Sequence, residues 1–258
     1  MLSLRDVSYA YPDGTPALRG ASLDLAAGER AALVGPNGSG KSTLCRVAIG
    51  ALRPTSGRAE LGGRPAHALG SRERAGRVAY VSPSARFGSP LTARRVIELG
   101  RRLRPRDAAA AVDAVVERLE LGGLLETTVW RLSDGERQRV SLARAAAQVW
   151  DAGEALLVAD EATSAMDPRL TAATLELLLE LSDRGVALLT AAHDLTFARR
   201  LAQTALVMRS DGSPASCGAA AEAMAPARLR EAFGVEFVEA RTEAGLVVTT
   251  RGAASGAT

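Results

Sequence analysis

Gly35-Pro36-Asn37-Gly38-Ser39-Gly40-Lys41-Ser42-Thr43 is the stretch that decides the fold. It has the spacing G-x-x-x-x-G-K-[ST], follows the apolar run Ala31 to Val34 and opens a helical stretch that reaches about Ile49. Glycines let successive backbone N–H groups turn inward, a helix start adds partial positive charge, and a lysine at this position can reach β- and γ-phosphates. Ser42 then offers a hydroxyl to Mg²⁺. The alternative is a glycine-rich turn without ligand, and the flanking strand and helix argue against it. Lys41 is also the only lysine among 32 basic residues. A chain that uses arginine everywhere else keeps a compact ammonium here, which a planar guanidinium cannot replace.

Outward from this loop, Ala155 to Ala159 and Val186 to Ala192 are apolar runs like Ala31 to Val34, too continuous for half-exposed strands. They predict buried parallel strands. Helices are expected between them, from the stripes Val112, Val115, Val116, Leu119 and Leu170, Leu177, Leu178, Leu181. Strands alternating with amphipathic helices imply an α/β fold with a mainly parallel sheet. The first thirty residues differ: Val7, Tyr9, Tyr11 and then Leu23, Leu25 alternate about the turn Pro12-Asp13-Gly14, which predicts an antiparallel β sub-domain. Helical patterns dominate residues 83–147, the mark of a helical sub-domain inserted into the sheet. A turn from Asp211, a helix near Pro226 to Phe233 and β-like runs at Val235 to Val238 and Leu246 to Thr249 follow. Residues 251–258 are small and polar and read as a frayed, disordered tail.

Two of the predicted strands end in groups able to do chemistry. Ala155 to Ala159 runs into Asp160-Glu161, at the carboxyl end of a strand, where open α/β sheets bind ligands. Asp160 is expected in the Mg²⁺ shell, and Glu161 is placed to polarise a water for in-line attack on a γ-phosphate. The third run ends at His193, one of two histidines, which can sense that phosphate and orient the water. The rival reading is an acidic pair that caps the next segment and a histidine with a structural role.

Composition narrows the classes further. The 258 residues are 47% hydrophobic and 24% charged, which excludes a disordered tail and a disulfide mini-protein. No apolar run approaches the ~18 residues of a membrane-spanning helix, and Arg5 and Asp6 stand where a signal peptide needs apolar residues. A soluble cytoplasmic chain is expected. Cys45 and Cys217 share no metal-like spacing. A net charge of +3, with 29 acidic residues against the 32 basic ones, gives no general reason to expect nucleic acid. The stretch Arg101, Arg102, Arg104, Arg106 reads as a solvated face, with nucleic-acid contact as the minor alternative.

The phosphate loop, Leu132-Ser133-Asp134-Gly135-Glu136 ahead of Arg137-Gln138-Arg139, Asp160-Glu161, Ser164-Ala165-Met166-Asp167 and His193 resemble, in order and spacing, the ATPase subunits of ABC transporters. The resemblance covers nearly the whole chain. It implies a phosphate-loop NTPase with a RecA-like sheet, residues 1–250 forming one ATPase domain, and ATP with Mg²⁺ as its ligands. It implies that two copies pair head to tail, each ATP lying between one copy's residues Gly35 to Thr43 and the other's Ser133, Asp134, Gly135 and Glu136. It further implies that Tyr11 stacks on adenine and that Asp167 bridges the copies. Pattern alone leaves alternatives open. Ser133-x-x-Glu136 is also a helix capping box, a role compatible with ligand binding, and Tyr11 shares a strand face with Val7 and Tyr9.

Three positions depart from the family. Pro83, between Ser82 and Ser84, stands where a glutamine usually follows the strand Val78 to Val81 and touches metal or water. The serines are expected to replace that contact in part. Asp134 replaces a glycine, adding negative charge near the partner's phosphate, and Ala162 replaces a proline. Leu61-Gly62-Gly63-Arg64-Pro65, Pro90-Leu91-Thr92, Glu98-Leu99-Gly100-Arg101 and Leu229 to Val235 resemble importers of iron chelates, haem and cobalamin. The resemblance implies separate polytopic permease subunits, a substrate-binding protein and a place on the cytoplasmic face of the membrane. An ATPase of another transport system, exporters included, and a regulatory nucleotide-binding module with negligible turnover are the alternatives.

Overall fold

The computed structural model describes residues 1–104, 107–242 and 245–250. The expected frayed tail at 251–258, and Arg106 of the arginine stretch, lie outside the described residues. The elements run β1 (Leu2–Ala10), β2 (Pro16–Leu25), β3 (Arg30–Val34), α1 (Lys41–Ala48), β4 (Ser56–Leu61), β5 (Arg64–Pro65), α2 (Ser71–Arg77), β6 (Val78–Val81), α3 (Ala93–Leu99), α4 (Ala108–Arg118) and α5 (Asp134–Val149). They continue with β7 (Leu156–Asp160), α6 (Pro168–Asp183), β8 (Ala187–Ala191), α7 (Leu195–Leu201), β9 (Thr204–Met208), β10 (Pro214–Ala219), α8 (Ala220–Ala223), α9 (Pro226–Phe233), β11 (Phe237–Thr242) and β12 (Gly245–Thr250).

The six-stranded sheet has the order β10-β9-β3-β8-β7-β6. All neighbours are parallel except β10, which runs antiparallel to β9 at one edge. The apolar runs are continuous because both faces are covered. Along β3, Ala31 and Leu33 join a core shared with α1 and the antiparallel sheet β2-β1-β4-β5. Ala32 and Val34 point the other way, into the core built with α5, α6 and α7. Leu156 and Val158 against Leu157 and Ala159 repeat the division on β7, as the two-residue side-chain period of a strand requires.

Between residues 83 and 147 the regular elements of the described chain are helices, the last of which, α5, runs on to Val149, with one isolated bridge, Thr92 to Thr128. Val112 and Val115 of α4 are buried and packed toward α5. Here the arginine stretch departs from a solvated face. Arg101 is 2% exposed, and its guanidinium grips both carboxylate oxygens of Asp151 at 2.7 and 2.8 Å and the carbonyl of Ala147. Arg104 donates to Gly76 O at 2.7 Å. Arg101 thus ties the end of α3 to the far end of α5 and Arg104 reaches α2, while Arg102 is exposed as expected.

α4 is also joined to α6. Arg118 pairs with Glu180, and Arg118 and Arg184 lie over the Trp150 ring at 5.2 and 4.2 Å from its centroid. Among the described residues no helix is long and apolar enough to cross a membrane.

Candidate nucleotide site

The parallel order of the sheet brings Gly35, Asp160 and His193 to one edge, each just past or at the end of a neighbouring strand. β3 ends at Val34, and the loop that follows is shaped by its glycines. A Cβ on Gly35 would stand 2.6 Å from Met208 O, and one on Gly40 would stand 2.3 Å from Ala17 O. Gly40 is also the N-cap of α1, at φ 89° and with no side chain capping the helix, so the first-turn N–H groups stay available to an anion.

Lys41 is nearly buried, and its Nζ donates to Gly35 O at 2.8 Å and Pro36 O at 3.1 Å, across the mouth of the loop. Burial lowers its pKa, while Glu161 and Asp160 pull it back up. Ser39 Oγ is fully buried and has no hydrogen-bond partner. A buried donor left unpaired inside a cradle of amides is an unmet demand that a phosphate oxygen satisfies.

Asp160 is fully buried at the end of β7, where Oδ1 accepts from Ser42 Oγ at 3.1 Å. Burial pushes its carboxyl above the usual range, and the hydrogen bonds from Ser42 and Tyr80 offset part of that rise. Hard oxygen donors of this kind suit magnesium. Among the described residues no group of three or more His, Cys, Asp or Glu could hold a metal by itself. Magnesium takes one or two protein oxygens together with substrate phosphates. Ser42 and Asp160 would hold it, and when bound it would neutralise charge on the phosphates.

Glu161 has φ 58°, the left-handed region that non-glycine residues rarely adopt. It is held there by its N–H to Ala191 O at 2.9 Å and by Ser164, whose N and Oγ donate to Glu161 O at 3.2 and 3.0 Å. This backbone bend turns the carboxylate toward His193, whose Nε2 is 2.6 Å from Oε1. His193 is fixed by the start of α7, where Asp194 caps the helix by accepting from Thr196 N and Phe197 N.

The Tyr11 hydroxyl lies 2.9 Å from Thr43 Oγ1, and its ring meets Tyr9 edge-on. Tyr11, Asn37, Lys41, Ser42 and Glu161 are among the residues that line one cleft of about 330 Å³.

The segment from Ser133 to Glu136 faces elsewhere. Its capping box is complete: Glu136 Oε2 accepts from Ser133 N at 2.7 Å and Oγ at 2.8 Å, and Glu136 N donates back to Ser133 Oγ. Those bonds hold the Glu136 carboxyl below its usual value. The charge that Asp134 adds is paired within the chain by Arg137. Gly135 allows the closest approach here, since a Cβ would lie 2.5 Å from Ala165 O. Asp134, Ala165 and Pro83 line a separate cavity of about 680 Å³. Asp167 caps α6, accepting from Leu170 N at 2.8 Å ahead of Pro168 at the first helical turn.

Of the two serines expected to stand in for the missing glutamine, Ser82 is engaged elsewhere. Ser82 Oγ donates to Ser84 O at 2.9 Å, inside the loop itself. The β6 hydroxyl that reaches the acidic pair is Tyr80 Oη, 3.2 Å from Asp160 Oδ2. Sequence reading missed this contact. The signal is positional and emerges only once β6 and β7 are known to be neighbours.

A buried sheet edge with a phosphate loop, a serine-bonded aspartate and a glutamate paired to a histidine defines a phosphate-loop nucleotide hydrolase. The family profile described as ABC transporter matches residues 18–164, more than half of the chain. The chain belongs to that family, as an ATP-binding component and an ATP hydrolase. It is 37% identical over 238 residues to the hemin import ATP-binding protein HmuV of Pseudomonas entomophila (strain L48), covering 88% of this chain and 91% of the relative. It is 36% identical over 226 residues to the cobalamin import ATP-binding protein BtuD of Halobacterium salinarum, covering 85% of this chain and 56% of that one. Among solved structures, a dimeric bacterial ABC transporter cassette superposes with TM-score 0.71 at 25% identity, covering 85% of this chain and 99% of the cassette.

Proposed function

We propose that this chain binds and hydrolyses ATP, with Mg²⁺, to energise a membrane importer of haem, cobalamin-like or iron-siderophore cargo. The observation that carries the catalytic part is the convergence of Lys41, Ser42, Asp160, Glu161 and His193 on one sheet edge. In this reading Glu161 accepts a proton from the attacking water, and His193 holds Glu161 and meets the γ-phosphate. Gly35 to Thr43 wrap the phosphates and Tyr11 lies against the base.

Asp134, in the segment Ser133 to Glu136, lines a different cavity from the phosphate loop. That separation supports a site completed by a second copy, paired head to tail, with Asp167 at the contact between copies. Residues 1–250 act as one domain with residues 83–147 inserted. Import is supported by the hemin and cobalamin import relatives. In the same reading the chain works at the cytoplasmic face of the membrane with separate permease subunits and a substrate-binding protein, as the hemin and cobalamin import relatives suggest.

The test is co-purification of the membrane subunit that this chain binds, reconstitution in liposomes, and measurement of MgATP hydrolysis and haem uptake. ATP-dependent haem transport is the expected result, and hydrolysis with no transport of haem or any corrinoid would remove the importer reading. Pro83 and the paired Asp134 favour a second reading, a regulatory module with negligible turnover. Turnover of the reconstituted complex no faster than that of Glu161→Gln would support it.

A further inference from the structure

Tyr80 sits on β6 in register with Val158 of β7, two residues short of the acidic pair. Its side chain spans that gap. Oη donates to Asp160 Oδ2 at 3.2 Å, while Oδ1 accepts from Ser42 Oγ at 3.1 Å. Each oxygen of one fully buried carboxylate is thus held by a different hydroxyl, one from the edge strand and one from the first turn of α1. Two directional bonds on separate oxygens fix the plane of the carboxylate, whereas one would leave it free to rotate.

The first two residues of the loop that follows supply no substitute. Pro83 has no N–H and no polar side chain, and the Ser82 hydroxyl is bound to Ser84 O. The ring of Tyr80 packs against the core on the α1 side, so the residue meets that core with its ring and the carboxylate with its oxygen.

We infer that Tyr80 is a positioning residue for the metal side of the site: by holding Asp160 Oδ2 it keeps Oδ1 aimed at Ser42 and sets how strongly a divalent cation binds together with nucleotide. This inference rests on the ATP and magnesium reading above. A phenylalanine here would keep the packing and leave Oδ2 without a donor.

The experiment uses the full chain as wild type, Tyr80→Phe, Asp160→Asn and the double variant. A fluorescent ATP analogue is titrated in EDTA and in saturating Mg²⁺, and free Mn²⁺ is followed by electron paramagnetic resonance with ATP present. Tyr80→Phe is expected to bind metal-free ATP within about twofold of wild type, while the gain in affinity on adding metal falls about tenfold, as suits one hydrogen bond to a charged group. The Mn²⁺ affinity should fall in parallel. In the Asp160→Asn background Tyr80→Phe should change the gain no further, because the group it positions has been neutralised.

A full metal-dependent gain in Tyr80→Phe, or an equal loss with and without metal, overturns the assignment in favour of packing alone. An additive loss in the double variant overturns it as well. A wild type that binds no ATP in either condition removes the nucleotide reading itself, and is told apart because the wild-type gain is then absent.

Discussion

His193 Nε2 lies 2.6 Å from Glu161 Oε1, across the ends of two adjacent parallel strands. The contact depends on a backbone that is hard to make. Glu161 occupies the left-handed region, and its N–H is bound to the last carbonyl of β8. The bend costs about 1–3 kcal/mol where it occurs and persists only when its surroundings enforce it. Here it turns the carboxylate out of the strand direction and into the cleft that the phosphate loop lines.

Glu161→Gln is therefore expected to keep ATP affinity and lose turnover by about 10²–10⁴-fold, since the amide preserves shape without basicity. His193→Ala should lower turnover as well, with nucleotide affinity changed less. Single-turnover hydrolysis beside equilibrium titration checks both, and parental turnover in Glu161→Gln would exclude Glu161 as the base.

Lys41 is nearly buried and anchored to two carbonyls of its own loop. Lys41→Ala should weaken MgATP binding by about 100-fold or more, the scale of removing one partner from a buried charge pair. Lys41→Arg should also fail, because a planar guanidinium does not fit the place of a point charge. Calorimetric titration decides it: affinity within a few-fold of wild type in either variant would sink the assignment.

Gly135 lies in the first turn of α5, where alanine would ordinarily favour the helix. The carbonyl of Ala165 decides the sign, because it would stand 2.5 Å from the new Cβ and is backbone that cannot step aside cheaply. Gly135→Ala should cost about 1–3 kcal/mol of stability and abolish turnover, while the phosphate loop of the single chain still binds nucleotide. A melting temperature and ATPase rate equal to wild type would show that the two segments part without cost.

The parallel strands were legible because burial on both faces leaves no polar residue within Ala31 to Val34 or Leu156 to Ala159. The apolar run Ala205 to Met208 carries the same signal, yet its place as the parallel neighbour of β3 depends on a pairing that no local pattern states. β11 likewise starts at Phe237, later than the run from Val235 suggests, and pairs there with Thr250 of β12. Arg101 misleads for a related reason. Its partner Asp151 is fifty positions away, so a run of arginines looks solvated until α3 is packed on α5. Site residues carried by local spacing, such as Lys41 and Ser133 with Glu136, were readable. Tyr80 was not, since only sheet order brings it to Asp160.

Pro83→Gln tests the departure from the family directly. The loop around it is held by Ser82 Oγ on Ser84 O and by Gln138 Nε2 on Ser82 O at 3.0 Å, so its path does not depend on proline alone. A glutamine there should fold and raise turnover of the permease complex severalfold if a water-positioning side chain is what the wild type lacks. Ser82→Ala with Ser84→Ala should leave turnover near the wild-type value, because the Ser82 hydroxyl serves the loop. A large loss in that double variant would restore the serines as substitutes.

Asp160 links stability to pH with a definite sign. Burial raises its carboxyl pKa above the ordinary value of 3.8 despite the bonds from Ser42 and Tyr80. Between the unfolded value and the raised folded value, the native chain binds more protons than the unfolded chain, so stability falls as pH rises through that window. The contribution is complete below the unfolded value and gone above the folded one. Asp160→Asn keeps the shape and accepts or donates to the same two hydroxyls, but has no charge to bury. Without nucleotide, the variant should melt a few degrees above wild type at pH 7, and the advantage should vanish as the pH approaches 4. With MgATP the order should reverse, because the wild type gains the metal-bound complex that the variant lacks. Thermal melts of both chains across this pH range, with and without MgATP, check each part. A pH-independent difference between the two chains would mean that the buried carboxylate carries no such cost.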